Sequence, residues 1–211
     1  MDHISKLIDG FKRFRKRHYS GENHIFRQLT QVGQSPKTLI VGCCDSRVDP
    51  AIITDCDPGD LFIIRNVANL VPPFETGGAF HGTSAALEFG VRKLNVEHVI
   101  VLGHTHCGGI EALIRGQATD EGGFVGSWMR LARHARNRVL ARIPQEVPET
   151  MMRECEKEAV LVSLDNLLTF PWILERVAQR RLTLHGWHFD LDSGTLLCYD
   201  SATHRFVQLG D

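Results

Sequence analysis

The sequence predicts an α/β fold: a central, mainly parallel sheet with an antiparallel edge, helices on both faces and an N-terminal helical arm. Three observations carry this expectation. Thr38-Leu39-Ile40-Val41, Leu61-Phe62-Ile63-Ile64 and His98-Val99-Ile100-Val101-Leu102 are short apolar runs with many β-branched residues, as strands covered on both faces should be. Stretches of helical period alternate with them, which favours parallel strands joined by helical crossovers. Near the C-terminus, residues 182–187 and 195–199 flank the turn Asp192-Ser193-Gly194 and predict an antiparallel pair.

Residues 2–31 place Ile4, Leu7, Ile8, Phe11 and Phe14 at helical spacing, predicting one or two amphipathic helices that serve as core or subunit contact. Gln34-Ser35-Pro36 ends the arm, because a proline drives its predecessor out of helical geometry. The first strand runs into Gly42-Cys43-Cys44-Asp45-Ser46-Arg47, and the second is entered from the turn Asp57-Pro58-Gly59. Residues 82–94 are expected to be helical, with Ala85, Leu87, Phe89 and Val91 among them. The third strand leads into Gly103-His104-Thr105-His106-Cys107-Gly108-Gly109. Two longer helices are expected over 124–142 and 149–169, the second stopped by Phe170-Pro171, and a short helix precedes the closing strand pair. There is no internal repeat. The expected organisation is one domain over 1–211, an arm over 1–33 followed by a core over 34–211.

The 211 residues are 43% hydrophobic and 23% charged with a formal net charge of −1, an ordinary globular composition that argues against a nucleic-acid or membrane partner. The basic run Lys12, Arg13, Arg15, Lys16, Arg17 is expected to be a solvated helix face. No apolar stretch approaches the roughly 18 residues of a membrane span. The first residues lack an apolar core with a small-residue cleavage site, so the expected address is the cytoplasm. The six cysteines are then expected to be thiols or metal ligands rather than a disulfide framework. No glycine-rich phosphate loop follows a strand, which removes support for a nucleotide-binding α/β protein.

Cys43, Asp45 and Arg47 follow one buried strand, and His104 and Cys107 follow another. Ligands of open α/β sheets bind at such carboxyl ends. Two thiolates and an imidazole suit zinc in tetrahedral coordination, with a fourth position left for water or substrate. His104-x-x-Cys107 alone is a weak signal, but paired with Cys43-x-Asp45-x-Arg47 at another strand end it is a strong one, with plain buried thiols and a core histidine as the lesser alternative. Side chains alternate along extended chain, so Cys43, Asp45 and Arg47 share a side while Cys44 faces away. His106 is expected to be structural, His81 is a candidate proton carrier, and Cys56, Cys155 and Cys198 are expected to be packing residues. The Gly108 and Gly109 amides open a predicted helix and are candidates for steadying an anion.

Cys43-x-Asp45-Ser46-Arg47, Arg65-Asn66-Val67-Ala68-Asn69-Leu70-Val71-Pro72-Pro73 and Gly103-His104-Thr105-x-Cys107-Gly108-Gly109 together resemble the β-class carbonic anhydrases. The resemblance runs from about Gln34 to Gly109 and resumes at His185-Gly186-Trp187-x-Phe189-Asp190 and Tyr199-Asp200; residues 117–181 and the arm match only loosely. It implies zinc on Cys43, His104 and Cys107, an Asp45–Arg47 catalytic dyad, and reversible hydration of carbon dioxide to bicarbonate by zinc-bound hydroxide. It also implies a homodimer or homotetramer with active sites near the subunit boundary. Gln34 matches the substrate-orienting glutamine, and Phe62 matches an aromatic of the carbon dioxide pocket. Val67 and Phe89 complete the apolar niche, with Phe89 standing where plant-type members carry tyrosine. Ile40 stands where some bacterial members carry tryptophan, so the chain resembles the type that keeps a water on zinc. Two rivals are kept: carbon disulfide or carbonyl sulfide hydrolysis on the same scaffold, and a non-catalytic zinc or redox-sensing module in which Asp45 fills the fourth position.

Overall fold

The computed structural model describes residues 2–20, 25–78, 81–117 and 123–209; part of the predicted arm, residues 21–24, lies outside them. In chain order the elements are α1 (His3–Tyr19), α2 (Ile25–Val32), β1 (Thr38–Cys43), α3 (Pro50–Ile53), β2 (Leu61–Asn66), α4 (Gly82–Glu88), β3 (His98–His104) and α5 (Gly108–Ile114). There follow α6 (Phe124–Met129), α7 (Arg133–Arg142), α8 (Pro148–Leu167), α9 (Pro171–Ala178), β4 (Thr183–Phe189), β5 (Leu196–Asp200) and β6 (Arg205–Gln208).

The strands form one sheet in the order β2-β1-β3-β4-β5-β6. The pairs β1–β2, β1–β3 and β3–β4 are parallel, whereas β4–β5 and β5–β6 are antiparallel. This is the mixed sheet with an antiparallel edge that the hydrophobic runs predict. Strand β6 was not predicted. Its four residues follow a turn in which Asp200 accepts hydrogen bonds from the Ala202 amide at 2.9 Å and the Thr203 hydroxyl at 2.7 Å.

The core explains the central strands. Leu39 and Val41 pack with Val99 and Val101 in one apolar cluster, while Ile40 packs with Ile100 and Leu102 in another. Alternate residues of β1 and β3 thus point into different layers, and both strands are buried almost throughout. Helix α8 packs on β3 and β4, and α5 and α7 pack on α8.

Two predicted helices are less regular than expected. The 82–94 stretch passes from α4 into a π-helical turn over Phe89–Lys93, where the Leu94 amide donates to the Phe89 carbonyl at 3.0 Å. This wide turn buries Gly90 and Val91 together; a Cβ on Gly90 would stand 2.5 Å from Leu39 Cδ1. The 124–142 stretch tightens to a 3₁₀ turn over Arg130–Ala132. Gly126, Met129, Ala132 and Ala135 are buried at every third position, and a tighter turn keeps such residues on one line.

The topology settles where chemistry can occur. The chain goes from β1 to β2 on one side and then crosses back past β1 to β3 on the other, so β1 and β3 meet at the switch point of the sheet. Gly42 lies opposite Leu102, which brings Cys43 and His104 to neighbouring strand ends. No helix among the described residues is long and apolar enough to cross a membrane.

Candidate metal centre

Cys43 ends β1 and His104 ends β3; Cys107 is the residue before α5. One ligand atom from each lies within 4.8 Å of the other two, and all three residues are buried. Zinc bonds of about 2.0–2.3 Å put tetrahedral ligands roughly 3.3–3.8 Å apart, so only a small inward movement would close these side chains on an ion.

The hydrogen bonds aim the donors. His104 Nδ1 lies 2.8 Å from the Thr105 carbonyl, which can only accept, so this nitrogen carries the hydrogen. Nε2 is then left with its lone pair, buried and without a partner. An orphaned imidazole nitrogen facing two thiols is the observation that fits a metal.

Without an ion the two sulfurs are in conflict. Cys43 is drawn strongly toward thiolate, chiefly by the Cys107 thiol, with the His104 ring and the Asp45 amide adding to it against burial. Cys107 is pushed the other way, first because it donates to Cys43 and then by burial; the Gly109 and Ile110 amides work in the opposite direction. A divalent cation held here would remove the conflict by allowing both to ionise. For His104, burial lowers the pKa, but the contacts with Cys43 and the Thr105 carbonyl outweigh it and the net shift is upward.

Asp45 and Arg47 stand at the rim. Arg47 Nε and Nη2 grip the two carboxylate oxygens at 3.0 and 2.7 Å, and the Arg47 amide adds a third bond at 2.9 Å. This grip holds the Asp45 carboxyl well below the usual carboxylate range. Arg47 Nη2 also donates to the His106 carbonyl at 3.0 Å, which ties the two ligand-bearing loops together. Behind them Arg65, present in the sequence motif without an assigned job, donates to the carbonyls of Cys43 at 2.9 Å and Asp45 at 2.7 Å. It also pairs with Asp49, which caps α3.

His106 turns away from the centre to Asp192, 3.0 Å distant, and has a left-handed φ of 58°. Cys44 is exposed while Cys43 is buried, and Cys155 is buried with its thiol pushed up to about 12 by burial first. His81 is exposed and bonds the Gly77 carbonyl at 2.8 Å. Val67 belongs to the apolar cluster that contains Cys43 and Cys107. Gly108 begins α5, and the Gly109 amide acts on the Cys107 sulfur, so both glycines belong to the turn that carries this residue. Gly109 itself has a packing reason: a Cβ there would stand 2.9 Å from Val67 Cγ1.

Three predicted pocket residues are not brought to the centre within one chain. Phe62 lies opposite Leu39, four residues before Cys43 and so roughly 13 Å back along the strand. Phe89 stacks on Phe62 with ring centroids 5.9 Å apart, and exposed Gln34 precedes the start of β1. Sequence reasoning also missed Glu156. It is buried in α8, and its Oε1 accepts the Cys107 amide hydrogen at 3.0 Å. Its signal was its place in the helical stripe Glu156, Ala159, Val160, Ser163, Leu167.

A family model described as carbonic anhydrase matches residues 38–196. A carbonic anhydrase of Synechocystis sp. is 37% identical over 205 residues, covering 97% of this chain and 74% of that protein. The solved β-carbonic anhydrase CcaA aligns with a TM-score of 0.91 at 36% identity, covering 99% of this chain and 93% of that one. One of two β-carbonic anhydrases from Sordaria macrospora, described as tetrameric, aligns with a TM-score of 0.72 at 28% identity over 99% of this chain and 94% of that one. Sequence, fold and the paired strand ends agree, and the chain belongs to the β-carbonic anhydrase family of enzymes.

Proposed function

We propose that this protein reversibly hydrates carbon dioxide to bicarbonate and a proton, with zinc held by Cys43, His104 and Cys107. The observation that carries the reading is the buried, unpartnered His104 Nε2 set among two thiols. Zinc bound there would supply Lewis acidity, acidifying a coordinated water.

The chain's own residues do the rest. Asp45, kept ionised by Arg47, can only accept hydrogen bonds, so it accepts one from a nucleophilic hydroxyl and turns that hydroxyl's lone pair toward the substrate carbon. Arg47 turns both carboxylate oxygens toward its guanidinium and leaves lone pairs free to accept a hydrogen bond, which favours Asp45 as an acceptor over Asp45 as a fourth protein ligand. This favours an enzyme over a closed zinc module. Val67 offers apolar surface beside the ligands, suited to a small uncharged substrate. The proton leaves to solvent.

The same reading includes a homo-oligomer. Gln34, Phe62 and Phe89 stand apart from the metal ligands of their own chain, so a second copy would have to bring them to the site. Helix α1 buries none of its residues, and Ile4, Leu7, Ile8 and Phe11 are exposed on it, an apolar stripe that needs a cover. Six free cysteines support an address in a reducing compartment, the cytoplasm.

The test is carbon dioxide hydration by the purified protein before and after zinc removal, with metal analysis alongside. Stoichiometric zinc and activity that vanishes on chelation and returns with zinc are expected. Hydration that survives complete zinc removal would overturn the reading. Carbonyl sulfide and carbon disulfide, assayed in parallel, should be poorer substrates.

A further inference from the structure

Behind the proposed zinc ligands two ionisable side chains are buried that the reaction does not use. Glu156 of α8 is 3% exposed and His188 of β4 is 1% exposed. Glu156 Oε1 accepts the Cys107 amide hydrogen at 3.0 Å, and His188 Nε2 lies 3.6 Å from Glu156 Oε2. Glu156 Oε2 and both His188 ring nitrogens have no hydrogen-bond partner.

Both residues abut ligand-bearing backbone. His188 is in register with Gly103, the residue before His104. A Cβ at Gly103 would stand 2.7 Å from Val160 Cγ2 and 3.5 Å from His188 Cδ2, so the glycine lets α8 and the His188 ring close on β3. Glu156 lies one helical turn before Val160 and reaches past this contact to the Cys107 amide. That amide opens α5, where N–H groups lack partners within the helix and a carboxylate is favoured.

A buried carboxyl and imidazole are costly to desolvate, and an apolar residue would continue the α8 stripe at lower cost. Packing alone therefore does not account for the pair. We propose that Glu156, backed by His188, is a positioning residue for the metal centre. It holds the Cys107 amide and so fixes the turn that aims the Cys107 sulfur. Its neighbour His188 braces the β3 end that aims His104 Nε2. Neither touches metal or substrate. The inference rests on the zinc reading above.

The experiment measures the zinc dissociation constant of the full-length protein by competition with a chelator of known affinity, with thermal unfolding of the metal-free protein in parallel. Glu156→Gln keeps an oxygen for the Cys107 amide and should bind zinc about as tightly as the wild type. Glu156→Ala should bind it on the order of 10–100-fold more weakly. The cobalt(II) spectrum should shift in Glu156→Ala and be restored in Glu156→Gln. Unchanged zinc affinity in Glu156→Ala, with only a lower unfolding temperature, would overturn the proposal and leave Glu156 a structural cap. Should Glu156→Ala not fold, Glu156→Asp, whose shorter arm pulls the oxygen back from Cys107, must weaken zinc in the same direction; wild-type affinity there overturns it equally. A wild-type chain that binds no zinc instead sinks the parent reading, and this one with it.

Discussion

Asp45 and Arg47 act as one unit, and their hydrogen bonds decide what each can do. With both oxygens held by a guanidinium, Asp45 stays ionised and suits the acceptor role in the proposed reaction. Asp45→Asn should retain zinc by metal analysis and lose hydration activity on the order of 10²-fold or more; full activity would remove Asp45 from the mechanism. The folded-state pKa of Asp45 is depressed, chiefly by Arg47, so its contribution to stability is present above the unfolded value of about 4 and is lost as pH falls below it. The gap in urea midpoint between wild type and Asp45→Asn should therefore narrow as pH drops from about 5 toward 3. The proposed ligands bear on the other end of the scale. Two thiolates would match the charge of a bound zinc ion, so the site would be formally neutral and would acidify water less than a dipositive one. Hydration rate should climb from about pH 6 to pH 9, and a flat profile would count against this ligand set.

Between residues and fold stand the turns that join strand ends to helices. Glycine 109 lets α5 close on the Val67–Asn69 turn, where Ala68 already holds a left-handed φ of 60°. Gly109→Ala would place a Cβ 2.9 Å from Val67 Cγ1 and 3.2 Å from both Ala68 Cβ and Met129 Sδ. Met129 can adapt but the strained turn cannot, so a loss of about 1–3 kcal/mol in urea unfolding is expected. Elements of this kind were only half legible. The strands β1 and β3 announced themselves because burial on both faces demands continuous apolar runs, whereas β2, expected to be covered in the same way, lies at the sheet edge with Ile63 exposed and only Ile64 buried. The π turn at Phe89–Lys93 and the 3₁₀ turn at Arg130–Ala132 did not, because each answers to which residues meet the core, and periodicity within one segment cannot supply that. Strand β6 was missed because four residues carry too little pattern, and its pairing with β5 is a tertiary event.

For the molecule as a whole, the question is what covers α1 and what uses the stacked pair Phe62 and Phe89. Helix α1 exposes Leu7 and Phe11 by 58% and 60%, too apolar a stripe to be left to solvent. If a second copy covers it and delivers Gln34, Phe62 and Phe89 to the neighbouring centre, assembly and activity are linked. The double substitution Leu7→Glu and Phe11→Glu should shift the protein to a smaller species in analytical ultracentrifugation. Hydration should fall on the order of tenfold or more while zinc stays bound, since substrate positioning is lost and the ligands are not. A smaller species with full activity would refute the shared site.

By itself the sequence determined the sheet, its antiparallel edge and the candidate ligands Cys43, His104 and Cys107. Such features are written locally, as apolar runs and as chemistry-bearing residues at the ends of those runs. Only the tertiary structure decided that Arg47 bridges to the His106 carbonyl, that Arg65 anchors the Cys43 loop, and that Glu156 and His188 lie beneath Cys107 and Gly103. It alone also set Phe62 four residues back from Cys43. The physical reason is the same each time: what a side chain touches, charged or apolar, is settled by segments far away in sequence, which no local pattern records.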